Sequence, residues 1–121
     1  MLPAPNRLRE RSDFTSAVRS FGGCRAGSRL LVVHATSTGA RAGLPPRVGF
    51  VVSKAVGGAV VRNRTKRRLR ALAAQRLDGI PTSVDLVVRA NPPAGQASSR
   101  ELQQALDPLL RRVVKGLGGV A

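Results

Sequence analysis

A single α/β domain is the architecture the sequence predicts, on three observations. Two runs of strand composition, residues 47–53 (RVGFVVS) and 84–89 (VDLVVR), flank a long helix-patterned stretch. That strand, helix, strand order is the signature of a parallel crossover unit. The chain has 121 residues, enough for one core without disulfides or a structural metal. Its hydrophobic fraction of 42% separates it from a disordered basic tail, although the formal net charge is +15.

Taken in order, Pro3 and Pro5 keep the first residues extended, and Arg7, Arg9 and Arg11 make residues 1–11 a loose basic arm. Ser12 can cap a helix over residues 13–21, with Asp13 at the positive end of its dipole. Phe14, Val18 and Phe21 follow at i, i+4 and i+7 and end at Gly22-Gly23. This stripe either joins the core or partly lines a groove where bases stack. Residues 29–36 (RLLVVHAT) are apolar on both faces, as in a central strand, with Leu30, Val32 and His34 on one side and Leu31, Val33 and Ala35 on the other. Residues 37–46 form a loop. In the strand 47–53, Gly49 signals a bulge or a close backbone approach.

Gly57-Gly58 breaks the strand pattern, and the helix is expected from about 59 to 76. Val61, Thr65, Leu69, Leu72 and the stem of Arg76 fall in one narrow arc, which packs on the sheet. Arg62, Asn63, Arg64, Lys66, Arg67 and Arg70 occupy the rest of the circumference; Arg68 borders the packing arc, stem on the core and head in water. The bare backbone at Gly57-Gly58 is also a place where a phosphate could meet the helix start. A turn over 78–81 leads to strand 84–89, and 91–95 (NPPAG) is a second loop. Ser98 with Glu101 makes a capping box for a last helix whose stripe is Leu102, Ala105, Leu106, Leu109, Leu110 and Val113. Gly116, Gly118 and Gly119 end it, leaving 116–121 as a frayed tail.

The distribution of charge narrows the function. Residues 14–77 hold thirteen Lys or Arg and no carboxylate, and within 60–70 six of eleven residues are cationic. An ordinary solvated helix face rarely reaches that density. The field favours a polyanion, nucleic acid or an anionic surface. One cysteine, Cys24, and one histidine, His34, exclude an intrachain disulfide and a zinc-type cluster, and predict no protein metal site. Cys24 has no base partner that can be named, His34 reads more readily as a structural residue than a catalyst, and no P-loop or dinucleotide fingerprint is present. No run is long enough to span a membrane, and the N-terminus lacks the apolar core of a signal peptide. A cytoplasmic location is the expectation, with no membrane contact and no obligate protein partner.

The run Val48-Gly49-Phe50-Val51-Val52-Ser53-Lys54, then Gly57, Ala59-Val60, Arg62-Asn63-Arg64, Lys66-Arg67 and Arg70, resembles the signature of the bacterial ribonuclease P protein subunit. Asn6-Arg7-Leu8 and Asp13-Phe14 match upstream, so the resemblance spans about residues 6–113. It implies an α/β (α+β) two-layer sandwich in the order α-β-β-β-α-β-α. The mixed sheet would have four strands, residues 24–26 forming an edge strand, and a left-handed crossover would carry the basic helix. It also implies one RNA-binding domain over 1–121. Its partners would be the catalytic RNA and precursor tRNA, whose 5′ leader is removed with magnesium held by the RNA. By the same resemblance Arg62, Asn63, Arg64, Lys66, Arg67, Arg70 and Lys54 face the RNA, and Phe14, Val18, Arg25 and His34 line the leader cleft. The family commonly has aromatics where this chain has Val18 and His34, which bears on leader preference. A structural, ribosomal-type RNA-binding protein is the alternative; a DNA-binding module is disfavoured, because no helix-turn-helix spacing appears.

Overall fold

The computed structural model describes residues 24–37 and 43–118. The helix expected over 13–21, the arm 1–11 and residues 38–42 of the loop 37–46 lie outside the described residues. Four strands form one mixed sheet: β1 (Cys24–Gly27), β2 (Leu31–Ser37), β3 (Arg47–Val51) and β4 (Val84–Ala90), in the order β1-β2-β4-β3. β1 and β4 both run antiparallel to β2, and β3 runs parallel to β4. Helix α1 (Ala59–Gln75) is the crossover between β3 and β4, and helix α2 (Ser99–Gly118) follows β4. The edge strand at 24–26, the central position of β2 and the parallel crossover are all as expected.

Period-two alternation decides which side of the sheet is covered. Leu31, Val33 and Ala35 of β2 stand in register with Ala90, Val88 and Leu86 of β4, and Val48 of β3 with Leu86. All are buried in one cluster with Leu69 and Leu72 of α1 and Leu102, Leu106, Leu109 and Val113 of α2. The two helices therefore share one face. α2 lies across β1 and β2, and α1 packs against β3 and α2. The opposite face carries Arg25, Val32, His34, Asp85, Val87 and Arg89 by the same register.

The last helix is the more strongly amphipathic of the two. Its capping box forms as the spacing requires: the Glu101 N–H donates to Ser98 Oγ at 3.1 Å, and the Ser98 N–H donates to Glu101 Oε1 at 3.0 Å. The Ser98 N–H, and after it the Ser98 hydroxyl, lower the Glu101 carboxyl pKa from its ordinary value. The helix ends at Gly118, within the glycine run expected to stop it, but Gly116 lies inside α2 and not in a tail. A Cβ on Gly116 would sit 2.7 Å from Cys24 Sγ, so glycine lets the helix approach β1, and Leu117 packs against the core beyond it.

Three further local expectations change. β3 ends at Val51, because the chain turns: the Val56 N–H donates to Ser53 O and the Gly57 N–H to Lys54 O. The β3 register runs unbroken through Gly49, which faces Val87, so there is no bulge. Residues expected as a plain loop after β4 form a 3₁₀ segment, Pro92–Gln96, with Ala94 and Gly95 buried. Pro92 and Pro93 suit the start of such a turn, where N–H groups have no helical partner.

An ion pair ties α1 to α2. Arg76 presents Nε and Nη2 to the two carboxylate oxygens of Asp107, and this contact, more than the opposing effect of burial, lowers the Asp107 pKa from its ordinary value. The stability it contributes is present above the unfolded carboxylate range near pH 4 and is lost as pH falls through the lowered folded value. Asp107→Asn should cost about 1 kcal/mol at neutral pH. In urea titrations from pH 7 to pH 2.5 the difference from wild type should shrink toward zero at the acid end. A difference that stays constant with pH would rule out the pair as its source.

Candidate nucleic-acid interface

The basic surface begins at the turn before α1. Lys54 is exposed there, and a Cβ on Gly57 would lie 2.8 Å from Val61 Cγ1, so the close turn into the helix requires glycine. Gly58 is the N-cap in extended conformation; no side chain caps the first turn and no acid lies in it. The Arg62 N–H donates to Gly58 O at 2.9 Å. On the buried side, Thr65, Leu69, Leu72 and Ala73 meet the core, with Val61 and Arg76 half-buried beside them. Thr65 satisfies its buried hydroxyl by donating to Val61 O at 2.9 Å.

Outward from that stripe the cations fall into two groups. Asn63, Arg67 and Arg70 are exposed on the far side of the helix. Arg62 and Lys66 are half-buried on one flank, and Arg64 and Arg68 on the other. The Nε atoms of Arg62 and Arg64 are buried without a partner, which leaves the outer Nη atoms to carry their hydrogen-bonding capacity. The expectation that Arg68 holds its head in water is corrected: its Nη1 donates to Ala97 O at 2.7 Å. Arg64 is likewise engaged, with Nη2 donating to Gly95 O at 2.9 Å. Both carbonyls are brought alongside by the 3₁₀ segment, which sequence periodicity cannot place.

On the sheet face opposite α1 and α2 lies a groove of about 360 Å³ lined by Arg25, Val32, His34, Ser53, Ala55, Arg89, Ala90, Asn91 and Pro92. Arg25 and His34 are direct ladder partners, so the structure brings these two predicted cleft residues together. Phe14 and Val18, the other two, lie outside the described residues. Burial lowers the His34 pKa, and the positive charges of Arg25 and Arg89 lower it further. His34 is therefore neutral at neutral pH, offering one ring donor and one acceptor beside two permanent cations. Arg89 and Ser53 were not anticipated. The alternation of β4 could have placed Arg89 on this face with Asp85 and Val87, but only once the covered face was known. Asn91 is partly structural: its Nδ2 donates to Ser28 O at 3.0 Å and to Arg29 O at 3.3 Å.

The groove and the helix adjoin through Lys54. Its neighbours Ser53 and Ala55 line the groove, and the same turn leads into α1. The two form adjoining cationic surfaces, one flat and half-apolar, the other convex and strongly charged. The first suits bases and sugars, the second phosphates. Among the described residues no three His, Cys, Asp or Glu side chains come together. The donor set for a protein-held divalent cation is not found there.

Comparisons with known proteins agree with this geometry. A profile of the ribonuclease P family matches residues 2–114. The ribonuclease P protein component of Streptomyces bikiniensis is 52% identical over 122 residues, covering 96% of this chain and 98% of that protein. That of Beutenbergia cavernae is 55% identical over 107 residues, covering 88% and 87%. Among solved structures, the RNase P protein of Staphylococcus aureus superposes with a TM-score of 0.77 at 27% identity, covering 90% of this chain and 97% of that one. The RNase P protein of Thermotoga maritima gives 0.74 at 27% identity, covering 88% and 96%. With the basic-helix motif, the strand order and nearly the whole length of its relatives in agreement, the chain belongs to the ribonuclease P protein component family.

Proposed function

We propose that the protein is the RNA-binding subunit of a ribonuclease P ribonucleoprotein in the cytoplasm. In this reading it binds the catalytic RNA and the 5′ leader of precursor tRNA, and so assists magnesium-dependent removal of the leader. The observation that carries the reading is the outer face of α1, where Asn63, Arg67 and Arg70 are exposed, Arg62, Arg64 and Lys66 flank them, and no carboxylate is present along the helix. Each cation that neutralises a phosphate releases a condensed counterion, and this supplies affinity without sequence preference. The chemistry belongs to the RNA and its magnesium, and the protein's part is to hold two polyanions together that would otherwise repel. Membership of the family supports this reading; the residue roles rest on the geometry.

Reconstitution tests it. The purified protein, added to a cognate catalytic RNA at low magnesium, should raise cleavage of precursor tRNA. A protein that binds the RNA yet leaves cleavage unchanged would favour a purely structural RNA-binding role.

The groove gives a narrower prediction. Arg89→Ala and Arg25→Ala remove cations from its lining without touching α1. Each should weaken leader-bearing substrate by about three- to tenfold and leave mature tRNA nearly unaffected. Parallel titrations of the holoenzyme with the two ligands measure the difference; equal losses on both would remove the leader from the groove.

A further inference from the structure

The two arginines on one flank of α1 share an arrangement that RNA contact does not explain. Arg64 and Arg68 are one helical turn apart, and they donate to carbonyls two residues apart, Gly95 O at 2.9 Å and Ala97 O at 2.7 Å. Those carbonyls close the 3₁₀ segment, where the last acceptors of a helical turn lack internal partners. A guanidinium is a favourable donor to such a carbonyl, because the end of the turn carries partial negative charge. Gly95 and Ala97 are buried, and Arg64 and Arg68 are only half-exposed, so the bonds are shielded from water.

The segment is also pressed from its other side. A Cβ on Gly95 would lie 2.5 Å from Val56 O and 3.0 Å from Val61 Cγ1. The 3₁₀ segment is thus wedged between the turn that precedes α1 and the flank of α1 itself. Ala97 then leads directly into the Ser98 capping box, which joins the wedge to α2. The helix that presents the phosphate-binding face is held along its length: by Arg64 and Arg68 on the 3₁₀ segment, and by Arg76 on Asp107 at its end.

We propose that Arg68 is a positioning residue for RNA binding: with Arg64 it clamps α1 to the carbonyls of Gly95 and Ala97 and sets the rotation at which the outer cations meet the RNA. The helix advances about 100° per residue, so a modest rotation about its axis moves Arg67 and Arg70 sideways by several ångströms relative to a fixed row of phosphates. Releasing the clamp lets the free helix take other rotations that binding must reset, so affinity falls while the same cations reach the same phosphates and release the same counterions. Arg64 keeps a second nitrogen for the RNA, whereas Arg68 lies on the edge of the packing stripe and acts through the helix.

This inference rests on the RNA-binding reading of α1, and the experiment separates the two. The salt dependence of binding to the cognate catalytic RNA is measured for the full-length wild type, Arg68→Ala, Arg68→Leu and Arg67→Ala. Temperatures are kept well below the melting point of each variant. Arg68→Leu retains the apolar stem over the core, so the fold persists if the alanine variant proves unstable. The expected result is a loss of about five- to tenfold for both Arg68 variants at every salt concentration, with an unchanged slope. Arg67→Ala should instead reduce the slope by about 0.7–0.9. A similar slope loss in the Arg68 variants would make Arg68 a phosphate contact and overturn the proposal while leaving the RNA-binding face intact. Unchanged affinity with a lowered melting temperature would overturn it as well, reducing the clamp to fold stability. If Arg67→Ala left the slope unchanged, the RNA-binding face itself would fall, and the proposal with it.

Discussion

Replacing Lys66, Arg67 and Arg70 together by alanine should weaken binding of the cognate catalytic RNA roughly 100-fold near 0.15 M salt and reduce the salt slope by about 2–2.7. The figure follows from counterion release. Each phosphate contact contributes about 0.7–0.9 to the slope, hence roughly four- to fivefold in affinity at that salt concentration, and the contributions multiply. The curves of wild type and variant should therefore converge toward 1 M salt. Among the described residues none of the three side chains forms an ion pair or hydrogen bond, and alanine is the best helix former, so the fold should be retained. Stability should if anything rise, because three like charges leave a chain of net charge +15. Cleavage should then demand more magnesium, which would have to replace the missing screening. Filter binding across salt concentrations measures the first effect, and cleavage across magnesium concentrations the second. Asn63→Ala, which removes oriented hydrogen bonds but no charge, should leave the slope as it was. An unaltered slope in the triple variant would reduce the face to solvated surface.

Asp85→Asn should lower folding stability by about 3 kcal/mol, with the melting temperature falling on the order of 10 °C. Asp85 is one of only six carboxylates in the chain, and its side chain is 7% exposed. Arg47 meets it as a fork, Nε to Oδ1 at 2.9 Å and Nη2 to Oδ2 at 2.7 Å. The two residues are register partners where β3 joins β4, so the pair fixes the start of the parallel ladder. Exchanging the carboxylate for an amide takes the charged acceptor of the fork away from the half-buried Arg47, and the loss of those charge-assisted bonds is what makes the effect large. Arg47→Met with Asp85→Leu removes both charges and should recover much of the stability. The RNA salt slope should not move in either variant, since the pair sits on the sheet face opposite the core. A melting temperature within about 2 °C of wild type for Asp85→Asn would show that the fork contributes little.

Much of this was legible before any coordinates. The stripe of α1, the capping box of Ser98 and Glu101 and the strand at 84–89 depend on residues within a turn or two of each other, and they appear where expected. The basic face needs only helical spacing. What escaped depends on distant neighbours. Gly116 has the composition of a helix end, yet the helix runs through it, because the absence of a side chain lets α2 close on Cys24. Gly49 resembles a bulge residue and sits in a regular ladder. The groove draws on four separate segments, and Arg89 joined it only when the register revealed which face of β4 lies away from the two helices.

The sequence by itself determined the family motif and the helix on which positive charge is densest, because charge and periodicity are local properties that survive any arrangement of the rest. Only the tertiary structure decided which of those cations are engaged within the protein. Arg64 and Arg68 find their acceptors 31 and 29 residues away, on carbonyls that no pattern in α1 announces. A long side chain takes whichever polar group the fold brings within reach, and a buried carbonyl lacking a helical partner is satisfied by the donor beside it. That competition between core and solvent separates the arginines bonded to the 3₁₀ segment, Arg64 and Arg68, from those turned to solvent, Arg67 and Arg70.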